Sequence, residues 1–371
     1  MKILVAGNLA NTGYFLASKL REENIDIDLL MEDNPHPVSD PKNTGELEFN
    51  EYPKWIKFWN KNCNWKYQII KKIREYDITC AATELPIFAF FAFKPYIALA
   101  TGSDLRELAK SKTIKGILLR MAYKKAKVII FTDPDLIYSI KELNLKNSLY
   151  CPPIRDFYKM NSSEKVLVNK NKFNIFYPTT HIWSVKGNEV FIKAFIQVAK
   201  KRNNIHLTLI NKGKDFKKSL KLLEDAQIRE KYTVLPKPLN QNELVSYYQN
   251  CDVIADQFIL GSLGSIGLEA MFMSKPVIAY VDNTIYSKIY GENPPVLNCK
   301  TIEEIYLILI KLLDNKNDQN IGKNANEWIL KYHSPEMVSQ KYYEIFKKVY
   351  EKNKINFLSV RESYKVNSNI T

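Results

Sequence analysis

The chain has 371 residues, 46% hydrophobic and 12% aromatic, which excludes a disordered polymer and is enough for two domains of roughly 150–200 residues each. Two acid-free stretches, 54–74 and 110–127, carry seven Lys/Arg apiece and together equal the formal net charge of +14, so the first half presents a basic surface to something anionic. The five cysteines are dispersed and form no CxxC pair, which excludes a disulfide framework and a zinc-ribbon site, and the longest apolar stretch, 85–101, is interrupted by Pro86, Lys94 and Pro95 and cannot span a bilayer.

In chain order, residues 2–6 read as a buried strand, too short an apolar run for a signal peptide, which fits a cytoplasmic protein. A helix over 13–23 and a strand over 25–30 follow, then a polar loop over 33–53. The stretch 54–74 reads as a basic helix with Trp55, Phe58, Trp59 and Trp65 among its lysines. That mixture suits a membrane–water interface and equally an amphipathic helix turning its rings inward. Strands near 78–82 and 96–100, a helix over 113–125 and a strand over 128–131 come next. Asp133 as N-cap and Pro134 in the first turn open another helix. The pair Pro152-Pro153 permits neither helix nor central strand and marks a domain boundary.

The alternation then restarts. Strands are expected over 173–177, 205–210, 232–235, 252–255 and 276–280, with a helix over 187–201 whose Val190, Phe191, Ala194, Phe195 and Val198 share one face. Helices over 301–314, 318–332 and 335–352 precede a polar tail, 353–371. Alternation of this kind predicts an α/β architecture of two Rossmann-like, doubly wound parallel-sheet domains, 1–156 and 157–334, with a ligand cleft between them.

Three clusters carry chemistry. The first strand runs through Gly7-Asn8-Leu9-Ala10-Asn11-Thr12-Gly13 into a helix, an arrangement that aims backbone N–H groups at an anion or is simply a turn. Lys186-Gly187, just before the second-domain helix, places an ammonium where a diphosphate would meet a helix amino end, or is a surface lysine. The segment from Asp256-Gln257 through Gly261, Gly264, Ser265 and Gly267 to Glu269 is a Gly/Ser loop entering a short helix, with a carboxylate placed for ribose hydroxyls or for the helix dipole. Two Asp-x-Asp matches, Asp26/Asp28 and Asp133/Asp135, are read as structural, the first on a strand and the second as a cap, so no metal site is assigned.

In order and spacing, these features resemble the retaining glycosyltransferases of family 4, with the GT-B fold: the first-strand glycine loop, Thr101-Gly102-Ser103-Asp104-Leu105-Arg106, Val185-Lys186-Gly187, and Leu268-Glu269-Ala270-Met271 before Lys275-Pro276-Val277-Ile278. The resemblance runs to about residue 350. It implies transfer of a sugar from a nucleotide-sugar to a sugar- or lipid-linked acceptor, with no cofactor beyond the donor and no metal. Lys186 would bind the donor diphosphate, Glu269 the ribose, and Gly264 and Ser265 would offer amides to the phosphates, with His181 nearby and Gly13 approaching from the first domain. Asn11, Thr12, Gly102 and Asp104 would lie on the acceptor or sugar side, and the helix over 335–352 would cross back to the first domain. No catalytic residue is assigned.

Gly261 stands where the family has the first glutamate of its Glu-x7-Glu motif, and Thr101 where relatives carry a histidine. An epimerase of the same fold acting on sugar nucleotides, and an inactive scaffold binding membrane or a partner, remain alternatives. The basic stretches 54–74 and 110–127 are expected to touch an anionic membrane at its inner face. Nucleic acid is not expected, since no recognised binding motif accompanies the charge.

Overall fold

Every strand pairing among the described residues is parallel. Parallel strands are covered on both faces, which is why so many of them are continuous apolar runs and not alternating ones. The computed structural model describes residues 1–43, 46–47, 51–61, 64–157, 160, 166, 168–236, 239–314 and 319–351. The chain divides into two units, Met1–Asp156 with Lys288–Gly291 and the segment from His333, and Phe157–Ser287 with Glu292–Tyr332.

The first unit holds β1 (Ile3–Ala6), β2 (Ile27–Glu32), β3 (Ile56–Trp59), β4 (Ile78–Ala82), β5 (Tyr96–Ala100), β6 (Val128–Phe131) and β7 (Ser148–Tyr150) in the order β3-β2-β1-β4-β5-β6-β7. The second holds β8 (Phe173–Tyr177), β9 (Ile205–Ile210), β10 (Tyr232–Leu235), β11 (Val253–Ala255), β12 (Val277–Ala279) and β13 (Leu297–Asn298) in the order β10-β9-β8-β11-β12-β13. Both sheets are doubly wound, and the strand order reverses between β1 and β4 and between β8 and β11. At such a switch point the loops leave the carboxyl ends of adjacent strands in opposite directions and open a crevice.

Four expectations are corrected. The stretch 54–74 is not one helix: Ile56–Trp59 is the edge strand β3, and only Trp65–Arg74 is helical. Trp59 is buried, the half-buried Trp55 and Trp65 pack on Tyr14 at 5.6 Å and edge-on against Phe88 at 5.4 Å, and Phe58 and Tyr67 are exposed. The helix expected from Asp133 begins at Leu136 with Asp135 at its N-cap. The Asp135 side chain makes no cap bond, and both carboxylates accept from Arg106, which donates to Asp133 at 2.6 Å and to Asp135 at 2.6 and 2.8 Å. The short strands β7 and β13 add edges that a three- or two-residue run does not announce.

The helix Pro335–Tyr350 opens on a Ser334 cap, Ser334 Oγ accepting from the Met337 amide at 3.4 Å. It sends Val338, Tyr342, Ile345, Phe346 and Val349 into the first unit's core beside Val5 and Leu29. The tail 353–371 and Cys63 lie outside the described residues; the other four cysteines are buried thiols, not joined in disulfides. Among the described residues no helix is long and apolar enough to cross a membrane.

Phe346 is fully buried, so Phe346→Ala is expected to destabilise the first unit by about 3–5 kcal/mol through lost transfer energy and the cavity left behind. Urea denaturation measures this, and a loss below about 1 kcal/mol would show that the helix is not part of that core.

Candidate functional site

In the second unit the loop after β8 and the loop after β11 meet at the switch point. Trp183–Lys186 is a single helical turn closed by Gly187 in the left-handed region (φ +69°), after which Asn188–Lys201 begins. The glycine is required twice over, since a Cβ there would also lie 3.0 Å from that of Phe258. This close approach lets the Phe258 amide donate to the Lys186 carbonyl at 2.8 Å. The Lys186 ammonium then donates to Oε1 of the buried Gln257 at 2.5 Å, while Gln257 Nε2 donates to the Ser262 carbonyl. Lys186 is thus hydrogen-bonded to an uncharged partner, which fixes its position, while its charge acts on the buried Asp256 nearby.

Beneath the ammonium lies Asp256, 1% exposed. Burial pushes its carboxyl above the usual range, opposed by the charge of Lys186 and by amide donors from Gly264 and Gly267. The Gly264 amide donates to Asp256 Oδ2 at 2.6 Å, so Asp256 caps the helix Ser265–Phe272 from inside. Gly264 therefore does not offer its own amide to a ligand, contrary to the sequence reading; its lack of a side chain matters because a Cβ would lie 2.9 Å from Asp256 Oδ1. Ser265 opens the helix on its exposed side. Glu269 sits in the second turn of this helix, not the first, too deep for the dipole to explain it. Its Oε2 accepts from Tyr248 Oη at 3.0 Å, which sets the half-buried carboxylate in place.

Gly261 adopts φ +74°, and a Cβ there would approach both Asp282 Cβ and the Tyr280 ring to 3.2 Å. A glutamate at this position would strain the backbone and crowd β12's following loop. His181 is likewise corrected. Its ring is completely buried, Nδ1 sharing a 2.8 Å hydrogen bond with Ser219 Oγ, which also accepts from Trp183 Nε1 at 2.9 Å. It braces the loop from below and exposes no atom to a ligand.

In the first unit a cavity of about 720 Å³ opens at the carboxyl ends of β1 to β5. Asn8 and Leu9 follow β1, Glu32 ends β2, Trp59 ends β3, Thr83 and Glu84 follow β4, and Asp104 and Glu107 follow β5. Thr83 is a β-branched residue at φ +57°, an uncommon strain at the switch point. Asp104 accepts from the amides of Thr101, Gly102 and Leu105 and from Tyr123 Oη, so its oxygens are committed to its own turn. Glu32 pairs with Lys61 at 2.7 Å and Glu84 with Lys115. Glu107 is exposed and has no ion-pair partner among the described residues.

Of the residues expected on the acceptor side, only Asp104 lines this cavity. Asn11 is buried and accepts from Asn8 Nδ2 at 2.9 Å, and Thr12 Oγ1 donates to the Leu9 carbonyl at 2.8 Å. Both shape the loop, as does the left-handed Gly102. Gly13 is buried against β1, where a Cβ would collide with the Gly7 carbonyl; its lack of a side chain serves the packing of helix on strand. Asn8, Trp59, Thr83, Glu84 and Glu107 escaped the sequence reading. The one available signal was polar residues directly following buried apolar strands. Asp256 and Gln257 give the same signal after β11.

Burial lowers the His181 pKa to about 4, against the pull of Asp215, and lowers that of His333 to about 3. The unfolded chain therefore binds more protons than the folded one below about pH 6.5. Stability is expected to fall as pH drops from 6.5 towards 4, by up to about 1.4 kcal/mol per pH unit for each ring. His181→Asn should flatten its share; an unchanged pH slope in urea denaturation would contradict the buried neutral ring.

Residues 160–328 match the family described as glycosyl transferases group 1. No curated protein matches the chain in sequence. Among solved structures, the chain is similar to Anabaena HepE in complex with UDP-glucose at 14% identity, over 94% of this chain and 100% of that one, with a TM-score of 0.69. It is similar to a glycosyltransferase from Rickettsia africae at 15% identity, over 95% and 99% of the two chains, with a TM-score of 0.70. A putative UDP-N-acetylglucosamine 2-epimerase from Listeria monocytogenes is similar at 12% identity, over 95% and 97%, with a TM-score of 0.61. The shared architecture is the GT-B fold.

Proposed function

We propose, from the premise that residues 160–328 belong to the group 1 glycosyl transferases and the chain has the GT-B fold, that this protein moves a sugar from a nucleotide-sugar to a hydroxyl of a sugar- or lipid-linked acceptor. The transfer retains the anomeric configuration, needs no metal, and serves surface glycan or glycoconjugate synthesis at the inner face of the membrane. The observation that carries the donor reading is Lys186, held by neutral Gln257 at the switch point, inside the region the family matches. Retention and the class of acceptor rest on the resemblance to family 4.

As the glycosidic bond breaks, negative charge accumulates on the departing nucleoside diphosphate. A cation fixed in advance stabilises that charge without the reorganisation that water would require. Lys186 supplies this cation. Glu269, oriented by Tyr248, accepts from ribose hydroxyls and places the nucleotide. The first-unit cavity, lined by Trp59, Asn8 and several carboxylates, has the mixed apolar and hydrogen-bonding character that a polyhydroxyl acceptor needs.

A second reading, epimerisation of a sugar nucleotide, is favoured by the likeness to the Listeria structure. Incubation with nucleotide-sugar alone separates the two, because an epimerase converts it without an acceptor. Lys186→Ala is expected to lower transfer by about 100-fold or more. It should also abolish the thermal shift produced by whichever of UDP, GDP, ADP or TDP stabilises the wild type. Undiminished nucleotide binding and turnover in the variant would overturn the assignment.

A further inference from the structure

One helix of the first unit is apolar on both sides. Ile114–Lys125 buries Leu119, Ala122 and Tyr123, yet its outward face carries Ile114, Ile117 and Met121, all exposed, at a spacing that makes one stripe along about 10 Å of helix. Ile114 is 79% exposed. A surface helix with apolar residues all round has an outer face that something covers.

The stripe has neighbours. The helices Trp65–Arg74, Pro86–Ala92 and Ile114–Lys125 pack side by side on one face of the sheet. Arg74 ties the first two together by donating to the Phe91 and Ala92 carbonyls, both at 3.4 Å, and Glu84 pairs with Lys115 at the other end. The middle helix ends on Phe93, which holds the left-handed conformation (φ +57°, ψ +31°) at 83% exposure. Phenylalanine gains nothing there over the glycine or asparagine that suits such a cap, unless its ring has a use outside the protein.

The charge around this apolar ridge has one sign. Residues 110–127 hold seven Lys/Arg and no acid. Lys110 is paired with Glu142 and Lys115 with Glu84, but Lys112, Lys124, Lys125 and Lys127 have no acidic partner among the described residues. Exposed Lys94 follows Phe93 directly. Apolar side chains rimmed by unneutralised lysines complement a surface that is hydrocarbon within and anionic at its face.

We propose that this ridge, Phe93 with Ile114, Ile117 and Met121 and the surrounding lysines, docks the protein on an anionic lipid bilayer. It deepens the membrane part of the proposed function and relocates it. In the stretch 54–74 Trp59 is buried and Trp55 stacks on Tyr14, leaving Phe58 and Tyr67 as its exposed rings, whereas the outer face of Ile114–Lys125 supplies one apolar stripe beside its own lysines.

Full-length protein is to be sedimented with vesicles of phosphatidylcholine alone and of phosphatidylcholine with phosphatidylglycerol. Binding is expected to the anionic vesicles, and about tenfold or more weaker to the neutral ones. Ile114→Asp/Met121→Asp and, separately, Lys124→Glu/Lys125→Glu should each cut anionic binding about tenfold or more. All these positions are exposed, and the nucleotide thermal shift is the check that each variant remains folded. Absence of wild-type binding, or variants that bind like the wild type, overturns the proposal. So does a dimer in light scattering that Ile114→Asp/Met121→Asp dissociates, since the ridge would then serve a second copy of this chain. Lost vesicle binding with an intact nucleotide shift counts against the ridge only; a missing nucleotide shift in a protein that binds vesicles counts against the transferase reading only.

Discussion

The second unit is organised around a carboxylate that never reaches solvent. Asp256, at the carboxyl end of β11, takes the Gly264 amide and thereby sets where the helix Ser265–Phe272 starts. It interacts electrostatically with the Lys186 ammonium, and the adjacent Gln257 accepts a hydrogen bond from that ammonium. A buried acid is costly unless donors surround it, so the loop has little freedom to place those donors elsewhere. The positions of Gly264, Gly267, Lys186 and Glu269 all follow from satisfying this one group.

The glycines of both units are read most simply as solutions to closeness. Gly187 lets the Lys186 turn lie against Phe258, and Gly13 lets the first helix lie against the end of β1. In each case a backbone brought near its neighbour allows a different residue, Lys186 or Asn8, to stand at the switch point. Gly261 belongs to the same class: its left-handed turn shapes the loop at the position where a glutamate is found in the family it resembles.

The first unit shows a different economy of charge. Its stretches 54–74 and 110–127 are lysine-rich and acid-free, but the cavity at the strand ends is lined by Glu32, Glu84, Asp104 and Glu107 with no lysine or arginine among the residues that line it. Lysines therefore lie around the outer helices while acids gather at the crevice. This separation supports assigning the outer face to an anionic surface and the crevice to a hydroxyl-rich molecule. Net charge summed over the chain hides it, because the two regions differ in sign.

How much was legible follows from the range of each interaction. Apolar runs and helical stripes are local, and they marked β1, β4, β5, β6, β8, β9 and β10 and the helices near 13–23, 113–125 and 187–201, but not Pro86–Ala92; turn chemistry at Pro152-Pro153 is local too. The order and spacing of Lys186-Gly187 and Leu268-Glu269 pointed to the family for the same reason. The strand β3 was hidden in a lysine-rich run because only pairing with β2 makes it a strand. The roles of Asp133 and Asp135 depended on Arg106, about thirty residues earlier in the chain, and those of Asp256 and His181 on partners that no spacing rule connects. Sequence alone thus determined the two parallel-sheet units and the resemblance that the match over residues 160–328 bears out, since both are written in short-range patterns. Only the tertiary structure decided which polar residues face a ligand and which hold the loops, because burial and hydrogen bonding are settled between segments distant in the chain.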